Sequence, residues 1–551
     1  MVRIIKSLTC NLTSFSRRNA SLALVIAFFV FINLLWWQQN KFVQGPDEGE
    51  HLYKSIEFYE SGAYLREFLR PMVYYHDYNG PFFYSTAGIF YRLFNSSAYR
   101  VSILNILIYA VILLIGISRL ERLFFNTAGF LSPLFYMLTP MGAIYSRFFN
   151  PDIAVCAILA WFMYFLKKLN DTVNPKYFFM SALLILIGGY TKVMFYLYAF
   201  FPLFCYLILA VGKKQARRVA FNSVLLASHM LSFYFIYPTH FKTLKGLVLT
   251  KTFTHLGDLG EIGLQVVNSQ FGGIIFLFLV FSLTIFIFSN VKKENRFIML
   301  ACFFGPVLFI GRYFIFFELR YFLPLLIIES MIIGYGLGFL LRKRNIFRFT
   351  AIVFVCFSLV QYLGISFSKK WLDFFLWNTA LQGNINLSHK PYYVNPLPFP
   401  ANPLGEIMGV LKNAQKDGIQ PSVCFIYDSK KEPFTEFSSK RLGYYTRRFQ
   451  RFFYTVCDGY LTCTAGSVSE ANFIIVSRSY LKEKTEVLSP ESLFYGKGCL
   501  DNPEAYQPFL EEFESFLREG RFRLYRQVGA YDPVKDKKEQ FFIYLRKKPL
   551  S

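Results

Sequence analysis

The run Ser21–Trp37, followed closely by Gly45-Pro46-Asp47-Glu48-Gly49-Glu50-His51, decides the organisation of this chain. The run is apolar and about as long as a bilayer-crossing helix, which needs about 17–25 residues. The segment after it places two adjacent carboxylates and a histidine just beyond the point where such a helix would leave the membrane. This pattern predicts a membrane protein with acidic groups at a water-facing edge.

The composition agrees with a membrane protein. Of the 551 residues, 54% are hydrophobic and 17% are charged, whereas soluble domains average about 45–50% and about 25%. The net charge of +24 comes from short basic clusters that separate apolar runs. Such clusters indicate membrane topology rather than a nucleic-acid surface. We therefore expect contacts with membrane lipids and no nucleic-acid partner.

Eleven segments are apolar enough to cross a bilayer. They are residues 20–39, 101–118, 124–145, 152–166, 176–192, 194–212, 219–237, 271–290, 297–315, 321–341 and 349–366. The fifth and sixth share one apolar stretch that Tyr190-Thr191-Lys192 interrupts, so we expect a tight hairpin there. The pattern predicts a polytopic all-α membrane domain over residues 1–366.

Positive charges mark one side of these segments. Alternate connections are short and basic, and they contain Arg119/Arg122, Lys167/Lys168, Lys213/Lys214/Arg217/Arg218, Lys292/Lys293/Arg296 and Arg342/Lys343/Arg344. The positive-inside rule assigns such connections to the cytoplasm. The N-terminus is then cytoplasmic, and the first span is a retained signal anchor because no small-residue cleavage site follows it. The long loops 40–100 and 238–270 are external.

The first external loop contains an amphipathic pattern from His51 to Leu69. A helix with this pattern either lies along the membrane face or is a short helix exposed to solvent. The sequence leaves both interpretations open. His51 falls on this helix, either as a solvated histidine or as a supporting ligand.

The composition changes after residue 366. A proline-rich linker leads to predicted helices at 402–417 and 503–519 and to predicted strands at 422–428, 472–477, 521–528 and 540–545. Helices that alternate with short apolar strands indicate a small α/β domain over residues 367–551. With eleven spans before it, this domain is extracytoplasmic. Its four cysteines, Cys424, Cys457, Cys463 and Cys499, allow one or two disulfides, and Cys457 and Cys463 are close enough for a local bridge.

Asp47 and Glu48 are the first candidates for chemistry. Adjacent carboxylates repel each other, so they are suited to bind a hard divalent cation or to remove the proton of an acceptor hydroxyl. The alternative is an ordinary solvated loop in which Asp47 caps a helix. The residues alone leave both interpretations open.

Three basic residues, Arg147, Lys192 and Arg320, fall at the predicted external ends of spans. Each one could extend to the lipid headgroups. Together they could bind a lipid phosphate, since arginine gives bidentate contacts and lysine gives a point charge. Asp152 either orients Arg147, joins the acidic set or caps the fourth span. His229 lies in the middle of a span, where we expect a hydrogen bond to a neighbouring helix.

Five short motifs resemble those of the GT-C superfamily of integral membrane glycosyltransferases, which includes protein O-mannosyltransferases and bacterial aminoarabinose transferases of lipid A. Gly45-Pro46-Asp47-Glu48 is similar to the start of their first external loop. Four further stretches follow in the family's order: Asn79-Gly80-Pro81-Phe82-Phe83-Tyr84, Ser146–Asp152, Gly189-Tyr190-Thr191-Lys192 and Glu318–Pro324. The resemblance covers residues 1–366 and, in architecture only, the C-terminal domain.

The resemblance implies an inverting glycosyltransferase. Its donor is a sugar on a polyprenyl phosphate, and its acceptor is a hydroxyl of a lipid, polysaccharide or protein at the outer face of a bacterial inner membrane. The Asp of the first-loop motif acts as base or metal ligand in the family, and it corresponds here to Asp47, with Glu48 beside it. Arg147, Lys192 and Arg320 then bind the donor phosphate.

One motif departs from the family pattern. The aminoarabinose transferases have an acidic residue and a lysine just before the Pro-aromatic stretch, where this chain has His76-Asp77-Tyr78-Asn79. Either His76 and Asp77 replace that pair, or the protein works without a bound metal. If a divalent ion such as Mg²⁺, Mn²⁺ or Zn²⁺ is bound, its supporting residues are expected among Asp152, His76, Asp77 and His51.

Two other functions stay open. A lipid-linked sugar transporter or flippase would favour ionisable groups near the bilayer midplane and inverted repeats, whereas the charged residues here cluster at one face and no repeat is visible. The second alternative is a catalytically inactive scaffold with the same fold. A transfer assay separates the three.

Overall fold

The computed structural model describes residues 2–39, parts of 51–59, 80–95, 99–238, 273–313, 319–343, 345–367, single positions within 410–419, and 423–426, 472–477, 515, 518–532 and 537–547. The chain forms two compact units. One comprises residues 1–41 and 55–396, and the other comprises residues 42–54 and 397–551. The division into domains at residue 366 stays a prediction.

The first unit is helical. Its helices are α1 (Val2–Gln39), α2 (Pro81–Leu93), α3 (Tyr99–Phe125), α4 (Leu131–Leu138), α5 (Pro140–Tyr145), α6 (Pro151–Thr172), α7 (Pro175–Thr191), α8 (Met194–Gly212), α9 (Ala216–Ile236), α10 (Gly273–Ile287), α11 (Lys293–Tyr313), α12 (Leu325–Leu341) and α13 (Asn345–Phe367). A 3₁₀ turn spans Leu319–Phe322. Each of the eleven predicted segments contains an α-helix, although 124–145 is interrupted at residues 126–130 and at Thr139, and the predicted fold class is confirmed.

Five helical stretches within the described residues are long and apolar enough to cross a membrane: Asn19–Gln38, Arg100–Phe125, Met194–Gly212, Ala216–Ile236 and Asn345–Gly364. Two shorter apolar helices cover Ile274–Ile287 and Leu325–Leu341. Large apolar side chains remain exposed on several of these helices, for example Leu231 on α9 and Phe349 on α13. Exposed apolar surface of this kind is suited to lipid.

The predicted third span is two helices. Thr139 has extended backbone angles (φ −69°, ψ 142°) between α4 and α5, because the ring of Pro140 disfavours the helical conformation in the preceding residue. The Thr139 hydroxyl then accepts a hydrogen bond from the Gly142 backbone N–H at 3.1 Å. The proline thus ends one helix and begins the next.

Asn-Pro pairs set the starts of two neighbouring helices. Asn150 precedes Pro151 of α6, and its side chain accepts a hydrogen bond from the Asp152 N–H at 3.1 Å. Asn174 precedes Pro175 of α7 and accepts from the Lys176 N–H at 2.9 Å. An Asn cap followed by proline at the first helical position is a strong start signal.

Buried polar groups hold the bundle in register. Asn170 of α6 and Asn222 of α9 exchange two amide hydrogen bonds, at 2.8 and 3.3 Å. His229 of α9 contacts the carbonyl oxygen of Tyr196 in α8 through Nε2 at 2.9 Å, which confirms its predicted hydrogen bond to a neighbouring helix. Such groups are paired because an unpaired polar group inside an apolar bundle is unfavourable.

A carboxylate caps the start of α4 from another helix. Glu121 of α3 is fully buried. It accepts hydrogen bonds from the Ser132 backbone N–H at 2.8 Å and from the Thr127 hydroxyl at 2.7 Å. Phe130, the residue at the cap position of α4, provides no side-chain hydrogen bond. Glu121 therefore satisfies an otherwise unpaired N–H at the positive end of α4.

The second unit contains a four-stranded sheet, which confirms the four predicted strands. The strands are β1 (Val423–Ile426), β2 (Phe473–Ser477), β3 (Phe522–Asp532) and β4 (Lys537–Arg546), in the order β1-β2-β4-β3. β1 and β2 are parallel, whereas β4 is antiparallel to both β2 and β3. Cys457, Cys463 and Cys499 lie outside the described residues, so the disulfides stay a prediction.

We expect Glu121→Ala to lower the free energy of unfolding by about 1–3 kcal/mol, because it leaves the buried Ser132 N–H without a partner. The measurement is the thermal melting of the detergent-solubilised protein. Glu121→Gln is the matched control, since it keeps one acceptor oxygen, and it should lose less. An unchanged melting temperature for Glu121→Ala would show that this cap does not stabilise the bundle.

Candidate functional site

The structure describes only part of the predicted site. Asp47, Glu48, His76 and Asp77 lie outside the described residues. Arg320 belongs to the 3₁₀ turn, but its side chain is not among those described. His51 is in a helical stretch, as predicted, and it is 4% exposed, so it is buried rather than solvated.

The structure brings Asp152 and Lys192 together. The Lys192 ammonium donates to Oδ1 of Asp152 at 2.6 Å, across 40 residues of sequence. The side chains are 5% and 4% exposed. The sequence predicts both residues on the external side of the membrane, whereas their direct contact follows only from the packing.

Two local features place these side chains. Asp152 lies in the first turn of α6, immediately after the Asn-Pro start. Lys192 lies where α7 has ended and α8 has not begun, with extended backbone angles of φ −165° and ψ 144°. The helix break therefore turns the chain out of α7 at the residue that carries the charge.

One oxygen of this ion pair is unused. Oδ2 of Asp152 is buried and has no hydrogen-bond partner among the described residues. Desolvating an ion pair is unfavourable, and a carboxylate with an unsatisfied oxygen is more so. Buried polar atoms normally have partners, so an orphaned one marks a place where a ligand or ion can bind. Oδ2 can accept a hydrogen bond from a hydroxyl or coordinate a cation.

Polar side chains continue from the ion pair into the bundle. Cys156 lies one helical turn after Asp152, and Cys156, Tyr136 and Tyr198 are all buried. The Tyr198 hydroxyl donates to the carbonyl oxygen of Tyr321 at 2.5 Å. Because Tyr321 follows Arg320, this hydrogen bond ties α8 to the turn that carries Arg320. Sequence reasoning missed both tyrosines, because tyrosine is common throughout this chain.

Arg147 joins three parts of the bundle and is completely buried. Its Nε donates to Oδ1 of Asn33 in α1, and its Nη2 donates to the hydroxyl of Ser366 in α13, both at 2.8 Å. Its guanidinium lies 5.2 Å from the centre of the Trp36 ring and 5.4 Å from that of Tyr362, within the range of cation–π attraction. Its Nη1 has no hydrogen-bond partner among the described residues.

The described residues contain no group of three His, Cys, Asp or Glu side chains that could hold a metal ion. Asp152 is the one member of the predicted acidic set that the structure describes together with its surroundings. Asp47, Glu48, His76 and Asp77 lie in the part of the chain that is not described. The divalent ion stays a prediction.

One family description matches part of the chain. Residues 79–239 match the family described as dolichyl-phosphate-mannose-protein mannosyltransferase. This region includes Arg147, Asp152 and Lys192. No curated protein matches the sequence significantly.

Solved structures match over most of the chain. ArnT from Cupriavidus metallidurans, bound to undecaprenyl phosphate, is similar with a TM-score of 0.52 and 13% identity, over 85% of this chain and 95% of that one. The Archaeoglobus fulgidus oligosaccharyltransferase in its apo form gives 0.48 and 11%, over 83% and 69%. The archaeal oligosaccharyltransferase AglB from the same organism, with an inhibitory peptide and a dolichol-phosphate, gives 0.47 and 11%, over 96% and 75%.

The similarity to ArnT extends over nearly the whole of both chains, and at 13% identity it concerns the fold. The matched family region and the arrangement of helices followed by a small sheet agree with it. In its fold this chain is therefore similar to ArnT, and residues 79–239 are similar in sequence to the mannosyltransferase family.

Proposed function

We propose that this protein is an inverting glycosyltransferase that moves a sugar from a polyprenyl phosphate to an acceptor hydroxyl. The observation that carries the proposal is the buried Lys192–Asp152 ion pair with its unused carboxylate oxygen. An ion pair of this kind at the end of a membrane helix marks a functional site by default. The similar ArnT structure contains undecaprenyl phosphate, which supports a lipid-phosphate donor here.

The basic residues stabilise the leaving group. As the bond between the anomeric carbon and the phosphate oxygen breaks, negative charge develops on the polyprenyl phosphate. The Lys192 ammonium and the Arg320 guanidinium bind this charge, and they do so effectively because water is largely excluded from the end of the bundle. Arg147 contributes Nη1, the donor that its contacts with Asn33 and Ser366 leave unused.

The acidic residues activate the acceptor. Asp47 removes the proton of the acceptor hydroxyl as the acceptor oxygen forms its bond to the anomeric carbon, opposite the departing phosphate. Glu48, the adjacent carboxylate, is the alternative base. Asp152 orients Lys192 through Oδ1, and its Oδ2 is available for a sugar hydroxyl or for a divalent ion. If an ion is bound, Asp47, Glu48, His76, Asp77 and His51 are its further candidate ligands.

The proposed orientation follows from the charges of the connections. The basic clusters lie at or near the helix ends that face the α3–α4, α6–α7, α8–α9, α10–α11 and α12–α13 connections, and several of their residues, such as Arg122 and Lys168, are inside the helices. The positive-inside rule assigns these connections to the cytoplasm. Asp152, Lys192 and the C-terminal domain are then on the other side, which we propose is the periplasm of a bacterial inner membrane. The acceptor there is a lipid, polysaccharide or protein.

We expect Asp47→Asn and Lys192→Gln each to lower the transfer rate by about 10²–10⁴, since one removes the base and the other removes a charge that stabilises the leaving group. The assay follows sugar transfer from defined polyprenyl-phosphate donors to envelope acceptors in purified membranes. Lys176→Gln, which changes an exposed lysine at the other end of α7, is the matched control. Wild-type rates for Asp47→Asn would exclude Asp47 as the base.

We expect Arg147→Lys to raise the KM for the donor about tenfold, because lysine cannot reproduce the planar set of guanidinium donors. It should also lower the melting temperature, since the contacts with Asn33 and Ser366 cannot both be kept. Ser366→Ala removes only the hydroxyl that binds Nη2 and should change stability with little effect on KM. A donor KM unchanged in Arg147→Lys would leave this arginine a purely structural role.

Cysteine labelling tests the orientation. Lys214→Cys in the α8–α9 connection and Arg523→Cys in β3 both change exposed residues. A membrane-impermeant maleimide applied to spheroplasts should label Arg523→Cys and should label Lys214→Cys only after permeabilisation. The wild-type protein gives the background from the native cysteines. The reverse pattern would place the C-terminal domain in the cytoplasm and contradict the proposal.

A further inference from the structure

The break between α7 and α8 is held by groups that come from distant parts of the chain. At the end of a helix the last four carbonyl oxygens lose their partners within the helix. In α7 the Gly188 oxygen accepts from the Lys192 N–H at 3.2 Å. The Gly189 oxygen accepts from the Tyr237 hydroxyl at 2.9 Å, and the Thr191 oxygen accepts from the Gly80 N–H at 3.0 Å. Two residues outside the hairpin therefore fix the peptide groups that precede Lys192.

Gly80 packs so closely against the α7–α8 break that a residue with a Cβ atom would not fit there. A Cβ on Gly80 would lie 2.0 Å from the carbonyl oxygen of Tyr190 and 2.4 Å from its carbonyl carbon. These are backbone atoms, so they cannot rotate away as a side chain would. The backbone angles of Gly80, φ −77° and ψ 168°, are open to any residue. Glycine is thus required here for close contact.

Side chains pack against the other side of the break between α7 and α8. The hydroxyl of Tyr196 packs onto Gly189, where a Cβ would lie 2.0 Å from it. Tyr190, Tyr196, Phe233, Ile236 and Tyr237 form one buried cluster, and Phe82, two residues after Gly80, packs against it. Side chains of α2, α8 and α9 thus surround the backbone on which Lys192 is carried.

Gly80 also closes the first external loop. Residues 40–79 separate α1 from Gly80, which is the N-cap residue of α2. At the other end of this segment, Trp37 of α1 donates through Nε1 to the main-chain oxygen of Arg147 at 3.3 Å. Both ends of the loop are therefore anchored to main-chain oxygens in segments that carry site residues, one beside Lys192 and one five residues before Asp152.

We propose that Gly80 and Tyr237 are positioning residues for Lys192. They hold the Thr191 and Gly189 peptide groups so that the Lys192 ammonium contacts Asp152 and the departing phosphate. Gly80 also fixes the end of the first external loop relative to Lys192. This inference rests on the proposed function, and it adds two residues that touch neither substrate nor the reacting atoms.

Gly80→Ala tests the inference most directly. The added methyl group must displace the start of α2 or the Tyr190–Lys192 backbone, and a misplacement of about 1 Å can lower a rate about 10²-fold. We expect kcat to fall by about that factor while the KM for the acceptor stays within about twofold. Gly338→Ala in α12 is the matched control, because its Cβ would meet no atom closer than 3.5 Å, and it should retain the wild-type rate.

Tyr237→Phe provides a second variant that keeps the ring in the buried cluster and removes only the hydroxyl bound to Gly189. We expect it to lower kcat about tenfold, while the protein still folds with a lowered melting temperature, because the Gly189 oxygen loses its donor. Should Gly80→Ala fail to fold, this variant still decides the question. Wild-type kcat in Tyr237→Phe, together with wild-type kcat in any folded Gly80→Ala protein, overturns the inference.

A double-mutant cycle shows whether the effect passes through Lys192. The readout is the affinity for undecaprenyl phosphate, measured by quenching of tryptophan fluorescence, for the wild type, Tyr237→Phe, Lys192→Gln and the double variant. We expect each single change to weaken binding about tenfold and the double variant to bind no more weakly than Lys192→Gln. If the affinity losses of the two single variants multiply in the double variant, Tyr237 and Lys192 act independently. That result overturns the positioning role and leaves the proposed phosphate site standing. Wild-type binding by Lys192→Gln overturns the proposed phosphate site and this inference with it.

Discussion

The bundle keeps an ammonium and a carboxylate in contact at a place from which water is largely excluded, and the rest of the site depends on this contact. Removing both charges from water is unfavourable, so the pair persists only if the surrounding backbone holds its geometry. The Asn150–Pro151 start fixes Asp152, and the break after Thr191 fixes Lys192. One oxygen of Asp152 has no hydrogen-bond partner among the described residues, so the pair is incompletely satisfied.

Features that depend on neighbouring residues were predictable from the sequence. The apolar runs predicted the helices, and the short apolar stretches of the C-terminal region predicted the four strands. The break at Thr139 was missed because Pro140 lies inside one continuous apolar run, whose hydropathy does not reveal an interruption. The burial of His51 was missed for the same kind of reason, since a helical pattern does not say what covers it.

Contacts between residues that are far apart in the sequence could not be predicted from it. Arg147 binds Asn33 and Ser366 across separations of 114 and 219 residues, and no local pattern selects those partners. Topology placed Asp152 and Lys192 at the same side of the membrane, but their direct contact required the packing of α6 against the α7–α8 hairpin. Gly80 carries no chemistry of its own, so only the distance to the Tyr190 carbonyl reveals its importance.

The region with the family match and the region with these contacts coincide. Gly80, Arg147, Asp152, Lys192 and Tyr237 all fall within residues 79–239. At 13% identity to ArnT the fold is retained while most side chains differ, and a shared fold does not decide the substrate. The fold alone therefore leaves the substrate to be decided by the side chains that this chain places around it.

The reciprocal amide contacts between Asn170 and Asn222 have a mechanical consequence. Sliding α6 along α9 by one turn would separate both amides in an apolar interior, where neither could find water. The two contacts therefore oppose sliding of α6 along α9, and they act at the end of α6 opposite Asp152.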